Sequence, residues 1–186
     1  MNVFKYMIHL CLLFYLVGAC ADPSPETKKS FWTKTRQTLN QIWSQGKGDL
    51  YVPYYAWHNR LTYTSDKLPL YNEMPWGMGV GKGIWDDRNN WQGLYGMVFL
   101  DSHKNVQPMG GYGYLITYHP TDDSGLGIGF TAMVTARPDI LNNVPFPAAL
   151  PLASMHYKRL MILGAYVPGG TNIGNVLFMM AKLTLE

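Results

Sequence analysis

Beyond residue 49, apolar residues alternate with polar or small ones, and no stretch after Ala21 holds the roughly 18 consecutive apolar residues that a membrane-spanning helix needs. Such a chain builds strands with one apolar face. Eight alternating segments stand out, at 50–63, 76–85, 91–100, 109–118, 126–137, 146–157, 160–167 and 176–185. Turn residues separate them: 65–69, 86–90, 101–107, 120–125, 138–143, 158–159 and 168–174. Segments of about ten residues match the transmembrane strands of bacterial barrels, and eight is the smallest usual closed number. The predicted fold is an all-β membrane barrel, eight-stranded and antiparallel, over residues 50–186.

The two faces of these strands differ in kind. In the second, Gly77, Gly79, Gly81 and Gly83 lie on one side, with Trp76, Met78, Val80 and Ile84 on the other. The fourth sets Gly111 and Gly113 against Tyr112, Tyr114 and Ile116, and the fifth sets Gly125, Gly127 and Gly129 against Leu126, Ile128 and Phe130. Bulky faces belong against lipid and glycine faces in the lumen. An eight-stranded barrel is normally just filled by side chains, so stacked glycines would leave a slot as wide as an acyl chain. The competing reading is that these glycines relieve bending at strong curvature. Pro53, Pro75, Pro151 and Pro168 fall within or beside strands. Proline cannot donate to a ladder, so each marks either a strand end or a local gap where lipid enters sideways.

Residues 1–21 have the layout of a secretory signal peptide: Lys5, an apolar run from Tyr6 to Val17, then Gly18-Ala19-Cys20-Ala21. Cleavage after Ala21 fits an A-x-A site, while Val17-Gly18-Ala19-Cys20 also fits a lipobox with Cys20 as the lipidated residue. Both cysteines, Cys11 and Cys20, lie in this segment, so plain cleavage leaves no thiol for a disulfide or a cysteine-built metal site. Residues 22–49 form a polar lead-in and an amphipathic helix at 30–43, with Ser30 as N-cap. Phe31, Trp32, Leu39, Ile42 and Trp43 share one face of that helix, as in a helix lying in a membrane interface. The alternative is a helix packed on a soluble core.

Composition narrows function. Charged residues make up 15% of the chain, against about 25% in an average soluble domain. The net charge of +3 is too small for a nucleic-acid footprint. The sequence contains no nucleophile elbow, phosphate-binding loop, H-E-x-x-H or Cys/His ligand cluster. One dispersed trio has acyl-transfer chemistry: His58 in the first strand, with Asp101 and Ser102 at the end of the third. A histidine can move a proton, a serine can attack or position an ester, and a carboxylate can orient the pair. The bland reading is that Asp-Ser is a turn pair and His58 an interfacial residue. His103, His119 and His156 read as loop or interfacial residues.

Seven blocks carry a stronger signal. They are Tyr55-Ala56-Trp57-His58-Asn59-Arg60, Tyr71-Asn72-Glu73-Met74-Pro75-Trp76-Gly77, Trp91-Gln92-Gly93-Leu94-Tyr95, Phe99-Leu100-Asp101-Ser102, Gly110-Gly111-Tyr112-Gly113, Gly127-Ile128-Gly129-Phe130-Thr131-Ala132 and Leu150-Pro151-Leu152-Ala153-Ser154. In order and spacing they resemble the outer-membrane lipid A palmitoyltransferase family, PagP. The resemblance implies an eight-stranded barrel behind an amphipathic helix, integral to the outer membrane with its site facing the outer leaflet. The implied reaction moves a palmitoyl chain from the sn-1 position of a phospholipid to a hydroxyacyl chain of lipid A. The implied catalytic residues are His58, Asp101 and Ser102: His58 as base, Asp101 orienting or charging it, and Ser102 placing or stabilising the ester, with acylation of Ser102 left open. Gly113 matches the floor of the family's acyl pocket, which implies a chain near sixteen carbons. Pro53 with Pro75, and Pro151 with Pro168, match its lateral lipid gates, and Lys67 matches a lysine tied to lipopolysaccharide recognition.

The sequence departs from the family around the pocket floor, at Tyr114 and Ile116, which would shift the pocket's length slightly, and at three further places. Thr171 stands where a gating tyrosine is usual, Glu186 follows where a terminal aromatic is usual, and Cys20 is atypical. The implied partners are a phospholipid donor and a lipid A acceptor, with no nucleic acid, in a monomer or homodimer. No metal or cofactor is implied, because the ester already carries the reactive acyl group. Two other small barrels remain open: a non-catalytic structural or adhesion barrel, and a lipid A deacylase. A soluble lipid-binding barrel is disfavoured, since the apolar face is outward as well as inward.

Overall fold

In the computed structural model, which describes residues 25–186, the alternating segments form strands that pair with their sequence neighbours until the last meets the first. Helix α1 (Pro25–Gln45) precedes β1 (Lys47–His58), β2 (Gly77–Trp85), β3 (Trp91–Leu100), β4 (Val106–Thr121), β5 (Ser124–Thr135), β6 (Phe146–Tyr157), β7 (Leu160–Val167) and β8 (Val176–Thr184). All eight neighbouring pairs are antiparallel, and β1 closes on β8. This is the expected barrel. Short turns 86–90, 122–123 and 158–159 lie at one end. Loops 59–76, 101–105, 136–145 and 168–175, three of them longer, gather at the other, which we call the rim.

Outward residues of β2, β4 and β5 are bulky and bare. Trp76, just ahead of β2, is 70% exposed, Ile128 is 71% exposed, and Met78, Val80, Ile116 and Leu126 are also exposed. Inward, Tyr51, Trp91, Leu115, Leu152, Leu163 and Met180 are buried together. Apolar surface thus lies on both sides of one sheet, as a lipid-embedded barrel requires.

The glycines do not leave a slot along the whole lumen. Toward the short-turn end, their inward space is filled. A Cβ on Gly83 would meet Trp91 and Asp49, on Gly125 it would meet His156, and on Gly127 it would meet Ser154. At Gly81 and Gly129 the close neighbour is a backbone carbonyl, of Leu94 and Tyr114 respectively. Those two are needed for close strand approach, which supports the bending explanation there.

An ion pair completes this plug: Lys182 Nζ donates to Asp49 Oδ1 at 2.8 Å, and both bind Thr184 Oγ1. His156, expected as an interfacial residue, faces inward and is buried beside Trp85 and His119. Period two continues through residue 156, and its even number places it on the same face as Ser154 and Leu152.

Two seams open toward the rim. The β1–β2 ladder ends at Tyr51↔Gly79, while β1 continues on β8 as far as His58↔Val176. The β6–β7 ladder ends at Leu152↔Ala165, while β6 continues on β5 as far as Phe146. Pro147 and Pro151 remove two donors from the stretch of β6 that leaves β7. Pro53 sits at the irregularity where the β1–β8 register shifts.

Element bounds differ most from expectation at four places. β1 stops at His58 rather than residue 63, because Asn59 starts a turn: its carbonyl accepts from Thr62 and Tyr63, and its side chain accepts from the Leu61 N–H. β4 runs from 106 to 121 instead of 109 to 118, with Pro108 inside it, its carbonyl accepting from Ala136 and Thr135. β5 lies at 124–135 rather than 126–137. The helix starts at Pro25, so Ser30 lies inside it and is not its cap. Proline at the first helical position surrenders an N–H that has no partner anyway.

Ile42 turns onto the barrel and is buried, while Trp32 and Trp43 are exposed, so these three do not share one face. Lys82 of β2 donates to the Trp43 carbonyl at 2.7 Å, placing a cation at the helix C-terminus. The expected signal peptide, residues 1–21 with Cys20, lies outside the described residues.

Candidate active site

His58 is the last residue of β1, and its side chain turns inward where the barrel meets the rim loops. It is 1% exposed. Tyr71 stacks on the imidazole, with ring centres 5.0 Å apart and planes 23° apart, and Tyr63 meets it edge-on at 5.1 Å. The ring is thereby fixed in plane and in tilt. Its Nε2 lies 3.2 Å from Ser102 Oγ, and its Nδ1 lies 3.2 Å from Glu73 Oε1. Glu73 also accepts from the His58 backbone N–H, and its own carbonyl accepts from Ala56. Arg60 clamps both Glu73 oxygens, donating to Oε1 through one guanidinium nitrogen and to Oε2 at 2.6 Å through another. That guanidinium holds the Glu73 carboxyl well below the usual range, at about 2.

Of the expected trio, the structure brings His58 and Ser102 together. Asp101 is adjacent to Ser102 but serves a different neighbour. Its Oδ1 accepts from the backbone N–H groups of His103 and Asn105, both at 2.8 Å, and its backbone pairs across the same turn with Asn105. Its Oδ2 is buried, 3.7 Å from an Arg137 nitrogen. Asp101 therefore shapes the turn that carries Ser102, and the carboxylate on His58 is that of Glu73.

Glu73 was within reach of sequence reasoning. A loop between two antiparallel strands returns over the end of the first, and this loop contains a carboxylate two residues before Pro75. The signal is weak because Asp66 lies in the same loop.

A cavity of about 380 Å³ opens beside His58 and Ser102 and descends into the barrel. Phe99, Met109, Met133 and Leu150 wall it, and Tyr95 and Thr131 lie at its inner end, hydrogen-bonded at 2.6 Å. Below that pair is the layer of Tyr51, Trp91 and Leu152. Gly113 belongs to this lower layer and is not a lining residue. It pairs in register with Thr131 and faces inward, where a Cβ would come 3.1 Å from Trp91 and 3.7 Å from Leu152.

The other expected residues scatter around the rim and seams. Pro75 lines the cavity. Pro53 is buried in β1, Pro151 is exposed on β6, and Pro168 is half-buried just after β7. Lys67 is exposed immediately before a short 3-10 turn at Leu68–Leu70. Thr171 is exposed in the last rim loop, next to Asn172. Asn172 ties that loop to the first one: its N–H donates to Thr62, and its side chain accepts from Thr64.

Residues 38–182 match the family described as antimicrobial peptide resistance and lipid A acylation protein PagP. The protein called lipid A acyltransferase PagP in Legionella longbeachae is 47% identical over 150 residues, covering 80% of this chain and 65% of that protein. The protein of the same name in Bordetella pertussis is 48% identical over 146 residues, covering 78% of this chain and 80% of that one. A Legionella pneumophila protein of that name is 45% identical over 149 residues, covering 80% of each chain. A matched segment of this length places the chain in the PagP family of lipid A acyltransferases.

Proposed function

We propose that the protein transfers a palmitoyl chain from the sn-1 position of an outer-leaflet phospholipid to a hydroxyacyl chain of lipid A. The observation that carries this reading is the continuity of the site. A histidine–serine pair lies at the mouth of an apolar cavity, at the loop-bearing end of a barrel whose exterior is apolar. An acyl chain in the cavity would bring its ester to His58 and Ser102.

His58 Nε2 takes the proton of the lipid A hydroxyl as that oxygen bonds to the acyl carbon. The bond to the glycerol oxygen then breaks, and that oxygen receives the proton from the imidazolium. The products are palmitoylated lipid A and a lysophospholipid. Ser102 donates to the ester carbonyl and orients it. Asp101 supports Ser102 through its turn.

The remaining assignments rest on the family resemblance and are compatible with the positions of these residues. Gly113 lies in the layer under the cavity, where a larger side chain would disturb Trp91 and shorten the accepted chain. The open upper seams, β1–β2 near Pro53 and Pro75 and β6–β7 near Pro151 and Pro168, supply sideways paths for lipid. Lys67 offers a cation at the rim for a lipid A phosphate. Thr171 stands at the phospholipid-gate position of the last rim loop.

The reading is tested with purified protein, phospholipid labelled in the sn-1 chain, and lipid A in mixed micelles. Label is expected in lipid A with the intact chain and is expected to fall about 100-fold or more with His58→Ala. Loss of acyl chains from lipid A would instead establish a deacylase, and no exchange by a folded barrel would leave a structural role.

A further inference from the structure

We infer that Glu73 is the positioning residue for His58, holding the imidazole in the tautomer and orientation that acyl transfer uses, with Arg60 keeping its carboxylate in place. The inference rests on the proposed transfer at His58. With Glu73 ionised, its oxygens only accept, so the contact at 3.2 Å requires the proton on His58 Nδ1. Nε2 is then the bare nitrogen, and it is the one that faces Ser102 at 3.2 Å. The other tautomer, with the proton on Nε2, would point its N–H at the reacting hydroxyl and could not take a proton from it.

Three further features distinguish this from an incidental surface ion pair. Glu73 holds the His58 backbone N–H as well as the ring, so it fixes the residue at two points. The imidazole itself is shielded, 1% exposed, so no water competes freely for Nδ1. Both carboxylate oxygens are occupied by Arg60, which prevents rotation of Glu73 away from the ring. Asp101, the carboxylate next to Ser102, has its Oδ1 engaged by two backbone N–H groups. An orienting carboxylate on Nδ1 also favours the imidazolium that forms during the transfer. Arg60, with the same charge as that imidazolium, opposes it while steadying Glu73.

The proposal is tested on the full-length barrel in micelles with defined phospholipid and lipid A, measuring kcat, KM and the pH profile of kcat. Barrel folding is checked for each variant by its heat-dependent gel mobility. Glu73→Ala is expected to lower kcat about 100-fold with little change in phospholipid KM. Glu73→Gln keeps an acceptor for Nδ1–H but not the charge. It is expected to restore most of that loss and to move the acid limb of the profile down by about one pH unit.

Arg60→Ala separates positioning from simple latching of the loop. If Glu73 only latched the loop, Arg60→Ala would reproduce the Glu73→Ala loss. As a positioning residue still held by the His58 backbone N–H, Glu73 is expected to keep part of its effect without Arg60, so that the loss is smaller than in Glu73→Ala and the acid limb moves up instead of down. Wild-type kcat and an unmoved profile in folded Glu73→Ala, beside an inactive His58→Ala, would overturn the assignment of Glu73 alone. An active His58→Ala would overturn the proposed transfer itself.

Discussion

The His58 ring is held by groups of three kinds: aromatic faces from Tyr71 and Tyr63, a carboxylate on one nitrogen and a hydroxyl on the other. None of these neighbours is adjacent to it in sequence, which explains why the site was only partly legible there. The blocks around His58, Asp101 and Ser102 identified the right end of the barrel. They did not reveal which carboxylate meets the histidine, because that depends on how loop 59–76 folds back. The two acids make different predictions. Asp101 serves its turn through Oδ1, so Asp101→Asn, which keeps that acceptor, should recover most of the activity that Asp101→Ala loses. Losing both N–H contacts should cost Asp101→Ala about 1–3 kcal/mol of local stability. Chemical denaturation of the two variants alongside their rates checks this. Equal loss of activity in both, with unchanged stability, would mean that the Asp101 charge itself acts in the reaction. Glu73 titrates lower than an ordinary carboxyl, so its contribution to the rim is complete above the usual carboxylate range and disappears as pH falls toward 2. An acid limb of activity above pH ~4 therefore belongs to another group, and Glu73→Gln should shift that limb rather than abolish it.

At the scale of the elements, period two located all eight strands, and the bulky-out, glycine-in assignment matches the exposed faces of β2, β4 and β5. What alternation does not encode is what fills a lumen. The glycine faces read as a continuous slot, yet Trp91, Asp49, Lys182 and His156 occupy the half toward the short turns. Filling depends on side chains that reach across from other strands, and no single strand's pattern contains that information. The plug makes a sharp prediction. Lys182→Met leaves Asp49 buried without its cation and should cost about 3–5 kcal/mol, while pairing it with Asp49→Asn should recover much of the loss. Urea unfolding in detergent measures both. The seams predict a second asymmetry. Amide exchange should be faster in the upper part of β6 beyond Leu152, where the β7 ladder has ended, than in its lower part at 153–157. Uniform protection along β6 would mean that the seam is closed in the membrane.

For the whole molecule, the two ends of the barrel divide the work. The short-turn end is packed and polar inside, with α1 docked beside it through Ile42 and the Lys82–Trp43 contact. The rim end carries the long loops, the open seams, the cavity and the histidine. On the proposed reading, such a barrel admits an acyl chain from the side and holds its ester beside His58 without opening a pore through the filled half. The central claim is that this rim transfers an acyl chain to lipid A by way of His58. It is tested most directly by mass spectrometry of lipid A from cells producing the intact chain and from cells producing His58→Ala. The account predicts a gain of one palmitoyl group with the intact chain and none with the variant, at equal amounts of folded barrel. Unchanged lipid A with the intact chain, or the same gain with His58→Ala, would contradict it.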